Sequence, residues 1–137
     1  MWIVLSISAA LSFTGIFIVF KSLELRGIPT VVSLAWVFLI ATLLYIGHVV
    51  AIKMPLRISG STIALLGLAG VLSYVGNIFQ FRATALAPNP GYAVALISMQ
   101  ALLVTFASIF LFGSDFSMIK GLGVFFCLCG VMLLSLA

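Results

Sequence analysis

The chain has 137 residues, 65% of them hydrophobic and 6% charged, with a formal net charge of +4. Soluble domains carry about 25% charged residues, so six basic and two acidic side chains are too few to solvate a water-exposed surface. The basic residues stand singly between apolar runs, which excludes a nucleic-acid-binding patch and fits loop anchors that orient a chain in a bilayer.

Crossing the hydrocarbon takes about 20 residues of helix. Five runs meet or approach that length. The predicted fold class is therefore all-α: a polytopic membrane protein of five transmembrane helices. One domain over 1–137, tight turns and termini on opposite sides complete the expectation. The first run, 2–20, has no basic segment before it and is too long for a typical signal core, so it is expected to stay in the membrane. Ser6, Ala10, Thr14 and Phe17 form a stripe on it that ends at Lys21. Glu24 and Arg26 are expected in the closing loop, "KSLELRGIP".

The second run, 30–52, aligns Ala41, Tyr45 and His48, with Trp36 nearly opposite, and "KMPLRISG" closes it. The third, 61–81, is the weakest by composition, since it carries Gly67, Gly70, Gly76, Asn77 and Gln80. A four-span alternative lays it on the membrane surface, but glycine is common where membrane helices pack closely. Ser73, Asn77, Gln80 and Thr84 fall at i, i+4, i+7 and i+11, one stripe bordered by Tyr74.

Arg82 and a Pro-Asn-Pro-Gly break follow. Pro88 and Pro90 cannot donate backbone hydrogen bonds, and each disfavours helix in the residue before it. The third helix is expected to end near Ala87 and the fourth to begin near Gly91, the two packing as an antiparallel hairpin. The fourth run, 91–112, bears Gln100 and a stripe of Ser98, Ala101, Thr105 and Ser108. The turn after it, "GSDFSMIK", holds Asp115. The fifth, 121–137, contains Cys127 and Cys129, which on a helix point about 200° apart. They are poorly placed to pair or to share a metal.

Polar groups within spans face protein or a water-filled cavity. For the small-residue stripes the first of these, helix packing, is the expectation. Asn77 and Gln80 either line a cavity or join helices. Tyr45, His48 and Trp2 suit the membrane interface. Lys21 and Arg82 either snorkel to the headgroups or hold an anionic group at a cavity mouth. No carboxylate lies in the middle of a run, so proton coupling would fall to Glu24, His48 or Asp115. The sequence has no phosphate-cradling loop, zinc-ligand cluster or nucleophile elbow, so no enzyme activity, cofactor or metal is expected.

"FQFRATALAPNPGYAVALISMQALLVTFASIFLFGSDFSMIKGLGVFFCLCGVMLLSLA" resembles the last three helices of an EamA-type repeat of the drug/metabolite transporter superfamily. Ala85 and Leu86 match the pair that closes its polar helix, Gly113 its turn glycine, and "GLGVFFCLCGVMLL" its final helix. "SFTGIFIVFKSLELRGIP", with Lys21 and Pro29, is similar to its first helix and loop. The usual glutamate of the turn is replaced by Ser114 and Asp115. The proline often found in the fourth helix is missing, so a straighter fourth helix is expected. Small multidrug exporters of the superfamily carry a glutamate in helix one, where this chain offers Thr14.

The resemblance implies alternating-access transport, with substrate near the midplane between two inverted repeats. A single repeat supplies half of such a site. The expectation is an exporter-like transporter of small molecules in the bacterial inner membrane, working as a dimer. Candidate substrate-binding residues are Tyr74, Asn77, Gln80, Gln100, Thr14 and Tyr45. Candidate mouth or coupling residues are Lys21, Glu24, His48 and Arg82. Expected partners are membrane lipid, a small-molecule substrate, and a second copy or a paralogue, with no nucleic acid. Alternatives are a subunit of a lipid-carrier flippase and a non-transporting scaffold or assembly factor. One side of the membrane would carry Lys53, Arg57 and Lys120, the other Lys21, Arg26 and Arg82. This balance specifies neither orientation and allows an antiparallel homodimer.

Overall fold

A computed structural model describes residues 1–55, 58–113 and 117–136; of Lys120 and residues 134–136 only the backbone is described. Arg57, Ser114 and Asp115, and the Lys120 side chain, therefore lie outside the described residues. Among the described residues six helices follow in order: α1 (Trp2–Leu25), α2 (Thr30–Ala51), α3 (Gly60–Leu86), α4 (Pro90–Ile97), α5 (Gln100–Phe112) and α6 (Met118–Leu136). Among the described residues, four helical stretches are long and apolar enough to cross a membrane: Trp2–Leu25, Thr30–Ala51, Gly60–Leu86 and Pro90–Phe112. A shorter apolar stretch, Gly121–Leu133, lies in α6. The third run, weakest by composition, forms the longest of these helices.

Helix ends explain the connections. The Gly27 amide bonds to the Glu24 carbonyl and the Ile28 amide to Leu23, with Gly27 at φ +78°. This is a Schellman stop, which needs a left-handed residue and suits glycine. Lys53 makes the same stop after α2 at φ 53°, with its amide on Val50 and that of Met54 on Val49. A side chain in that region costs roughly 1–2 kcal/mol. Asn89 caps α4, its side chain accepting from the Gly91 amide at 2.9 Å, with Pro90 in the first turn. A Cβ on Gly91 would approach the Asn89 Oδ1 to 3.2 Å, so the small residue keeps the cap open.

Two expectations change. Lys21 and Glu24 lie on α1 itself, which continues to Leu25, rather than in a loop. The third helix ends at Leu86, beside the expected Ala87, with Arg82 one turn inside it. The expected straighter fourth helix is interrupted at Ser98 and Met99. There the amides of Met99, Ala101 and Leu102 bond three residues back, to Leu96, Ser98 and Met99, the tighter pattern of a 3₁₀ turn. The Ser98 hydroxyl donates to the Val94 carbonyl at 2.9 Å, a bond that bends helices. Such bonds also occur at Ser6, Ser8 and Ser12 in unbroken helix, so this one permits the turn without producing it.

The chain falls into two compact units, Met1–Ala85 and Leu86–Ala137. In the first, the end of α1, the start of α2 and the end of α3 hold the buried residues: Phe17, Phe20, Ser33, Leu34, Phe81 and Thr84. The Phe81 ring stacks on Phe20 at 4.0 Å between centroids and tilts against Phe17 at 5.3 Å. Towards the other end of these helices the apolar side chains are exposed, as for a chain solvated by lipid tails. In the second unit α4 packs on α6, burying Ala93 and Val131. A hollow of about 320 Å³ opens beside the α4–α5 break, between Ser98, Met99 and Leu102 and the α6 residues Gly123, Val124 and Cys127.

Candidate functional site

The candidate site lies at the packed end of the first unit. The two phenylalanines of α1 seat Phe81 of α3, and this places the next turn of each helix side by side. Lys21, one residue beyond Phe20, donates from Nζ to the Ala85 carbonyl near the end of α3. Thr84 is 2% exposed and donates to the Phe81 carbonyl at 2.9 Å. Lys21, Glu24, Thr30, Ser33 and Thr84 surround one narrow gap. Two of its oxygens, Glu24 Oε2 and Ser33 Oγ, are buried without a hydrogen-bond partner. Buried oxygens without partners are uncommon, because each forfeits its hydration. Beside the gap, Glu24, Thr30 and Arg82 line a wider groove of about 500 Å³.

The expected mouth residues Lys21, Glu24 and Arg82 thus come together, on α1 and α3. His48 does not join them. It is exposed in the last turn of α2, 15 residues or about 22 Å of helix from Ser33. Tyr45 is also exposed, near that end.

The stripe on α3 runs back from this cluster. Asn77 and Gln80 are half-buried. Asn77 Nδ2 donates to the Ser73 carbonyl at 2.7 Å and to the Ser73 hydroxyl at 3.2 Å, so its donor is engaged within its own helix. The Gln80 amide has no hydrogen bond among the described residues. Tyr74 borders a hollow of about 370 Å³ with Val31, Leu34, Phe38 and Gly70. Thr14, two turns before Lys21, is exposed and donates to the Ala10 carbonyl at 2.8 Å. Gln100, exposed, opens α5 in the second unit.

Sequence reasoning missed Ser33. A lone serine in "TVVSLAW" carries no signal, and only the approach of α1 and α3 makes it part of a site. Cys127 and Cys129 are free thiols on α6. No group of three or more His, Cys, Asp or Glu that could hold a metal occurs among the described residues.

The geometry is a run of polar side chains on one membrane-length helix, leading to opposite charges at the end of the spans. No curated protein and no solved structure matches the chain significantly. Residues 1–136 match the EamA-like transporter family, and the chain therefore belongs to that family, as an integral membrane protein of transporter-like function.

Proposed function

We propose that the chain is an exporter-like transporter of small molecules that works by alternating access as a dimer of five-helix repeats. Residues 1–137 then form one repeat domain, and the bacterial inner membrane is its location. The observation that carries this reading is the polar line of Asn77, Gln80 and Thr84 on α3 leading to Lys21, Glu24 and Arg82. Gln80 has the strongest claim among the substrate-binding candidates, because its amide is uncommitted among the described residues and lies on the α3 stripe one turn before Thr84. Tyr74, Asn77, Gln100, Thr14 and Tyr45 remain candidates that a second copy or a closed state would bring into use. Purified protein should melt at a higher temperature with a ligand of this path, since only ligands of the folded state stabilise it. A screen of cationic drugs, small metabolites and lipid-linked sugars that shifts nothing would oppose the reading.

The partner is a second copy in opposite orientation, or a paralogue. Support comes from the balance of three basic residues on each predicted side, because the Lys and Arg bias is what fixes topology. Single cysteines placed between residues 53 and 60, on a background lacking Cys127 and Cys129, should be labelled from both faces of intact cells. Labelling from one face only would rule out the antiparallel homodimer.

A further inference from the structure

Glu24 and Arg82 line one groove, yet no ion pair joins them among the described residues. Opposite charges that share a groove without meeting leave a place for a ligand carrying both signs. The groove also contains the start of α2, at Thr30 and Val31. Pro29 is the N-cap there and supplies no side-chain bond. Its carbonyl takes the amides of Val32 and Ser33, while those of Thr30 and Val31 have no acceptor among the described residues. Free amides at a helix start attract anions. Ser33, 5% exposed, has an unpartnered hydroxyl in the adjoining gap, which shares Glu24 and Thr30 with the groove.

Depth identifies the source of the ligand. The 24 residues of α1 span about 36 Å, against about 30 Å of hydrocarbon. Glu24, in the last turn, therefore sits at the level of the lipid head groups. Lys21 of the same helix is directed to the Ala85 carbonyl, and Arg26 is not among the groove's lining residues. The groove is thus lined by one acid and one base.

We infer that this groove binds the head group of a zwitterionic phospholipid with a primary ammonium. The phosphate meets the Arg82 guanidinium and the Thr30 and Val31 amides, and the ammonium meets Glu24. Ile28 and Val31 offer apolar contact to the start of the acyl chains. Binding of this lipid does not depend on the chain moving any cargo.

The test is equilibrium binding, without transport. Full-length protein in detergent is melted with phosphatidylethanolamine, phosphatidylglycerol or soluble phosphoethanolamine. Phosphatidylethanolamine should bind about tenfold more tightly than phosphatidylglycerol, the scale of one charge-assisted hydrogen bond. Glu24→Gln should remove that preference and leave phosphatidylglycerol binding in place. Arg82→Gln, at an exposed position, should weaken both lipids. Equal shifts by the two lipids in the wild type, or unchanged preference in Glu24→Gln, would overturn the site. Phosphoethanolamine binding as tightly as the lipid would overturn the assignment to a membrane lipid. Melting without any lipid identifies a variant that has lost its fold; should Glu24→Gln do so, Arg82→Gln decides with the wild-type preference, and unchanged binding of both lipids in Arg82→Gln would overturn the site.

Discussion

Replacing Gln80 by leucine lowers the initial rate of transport about tenfold, whereas Asn77→Leu lowers it no more than about threefold. The scale is that of one hydrogen bond to a bound solute, about 1–1.5 kcal/mol. The two amides look equivalent on a helical wheel, and the structure separates them. Asn77 gives its Nδ2 to the Ser73 carbonyl and hydroxyl, so its loss removes a bond internal to α3. Gln80 has no such commitment among the described residues, so its loss removes a contact available to cargo. Leucine is tolerated in a span at both positions, and both variants should insert and fold. The check is initial-rate uptake into vesicles at matched amounts of folded protein. Equal losses would mean that the stripe acts as a unit, and a larger loss at Asn77 would reverse the assignment.

Phe81→Ala destabilises the first unit by roughly 2–3 kcal/mol. In soluble cores such a truncation costs about 3–5 kcal/mol. Here the figure is lower, because lipid tails are as apolar as the site and only packing is lost. Phe81 is 6% exposed and touches both phenylalanines of α1. Its removal also loosens the alignment that lets Lys21 reach the Ala85 carbonyl. Phe110, 85% exposed, is the control, and Phe110→Ala should stay within about 0.5 kcal/mol. Unfolding of both variants in mixed micelles measures the difference. Indistinguishable losses would show that the aromatic trio does not hold α1 to α3.

Hydropathy was enough to find the spans, because a bilayer demands length and apolarity and little else. The break at Pro88 to Gly91 was legible for the same kind of local reason, since two prolines cannot continue a helix. Hydropathy could not show where the helices end. Lys21 and Glu24 interrupt an apolar run, but they are good helix formers, as is Leu25, so α1 continues through them. The interruption at Ser98 and Met99 has no proline or glycine to announce it. Serine bonds of the same type leave α1 intact.

The candidate site was legible in part. The polar stripe on the third run appeared from its spacing, and Lys21, Glu24 and Arg82 were identifiable as scarce charges in an apolar chain. The meeting of Lys21 and Glu24 with Ser33 and Thr84, beside the groove that Arg82 lines, depends on how Phe17 and Phe20 seat against Phe81, and helical spacing within one segment does not carry that information. His48 illustrates the converse, since a titratable residue near a span end is notable in sequence yet stands apart from the cluster.

The central claim is that this chain, without other proteins, moves a small solute across a bilayer. Counterflow in vesicles containing only the purified chain tests it most directly, with labelled cationic drugs, small metabolites and lipid-linked sugars. The account predicts saturable, protein-dependent accumulation of at least one of these, competed by its unlabelled form and lost in large part in Gln80→Leu. Vesicles with folded, inserted protein that are no more permeable than protein-free vesicles to every solute class would contradict it.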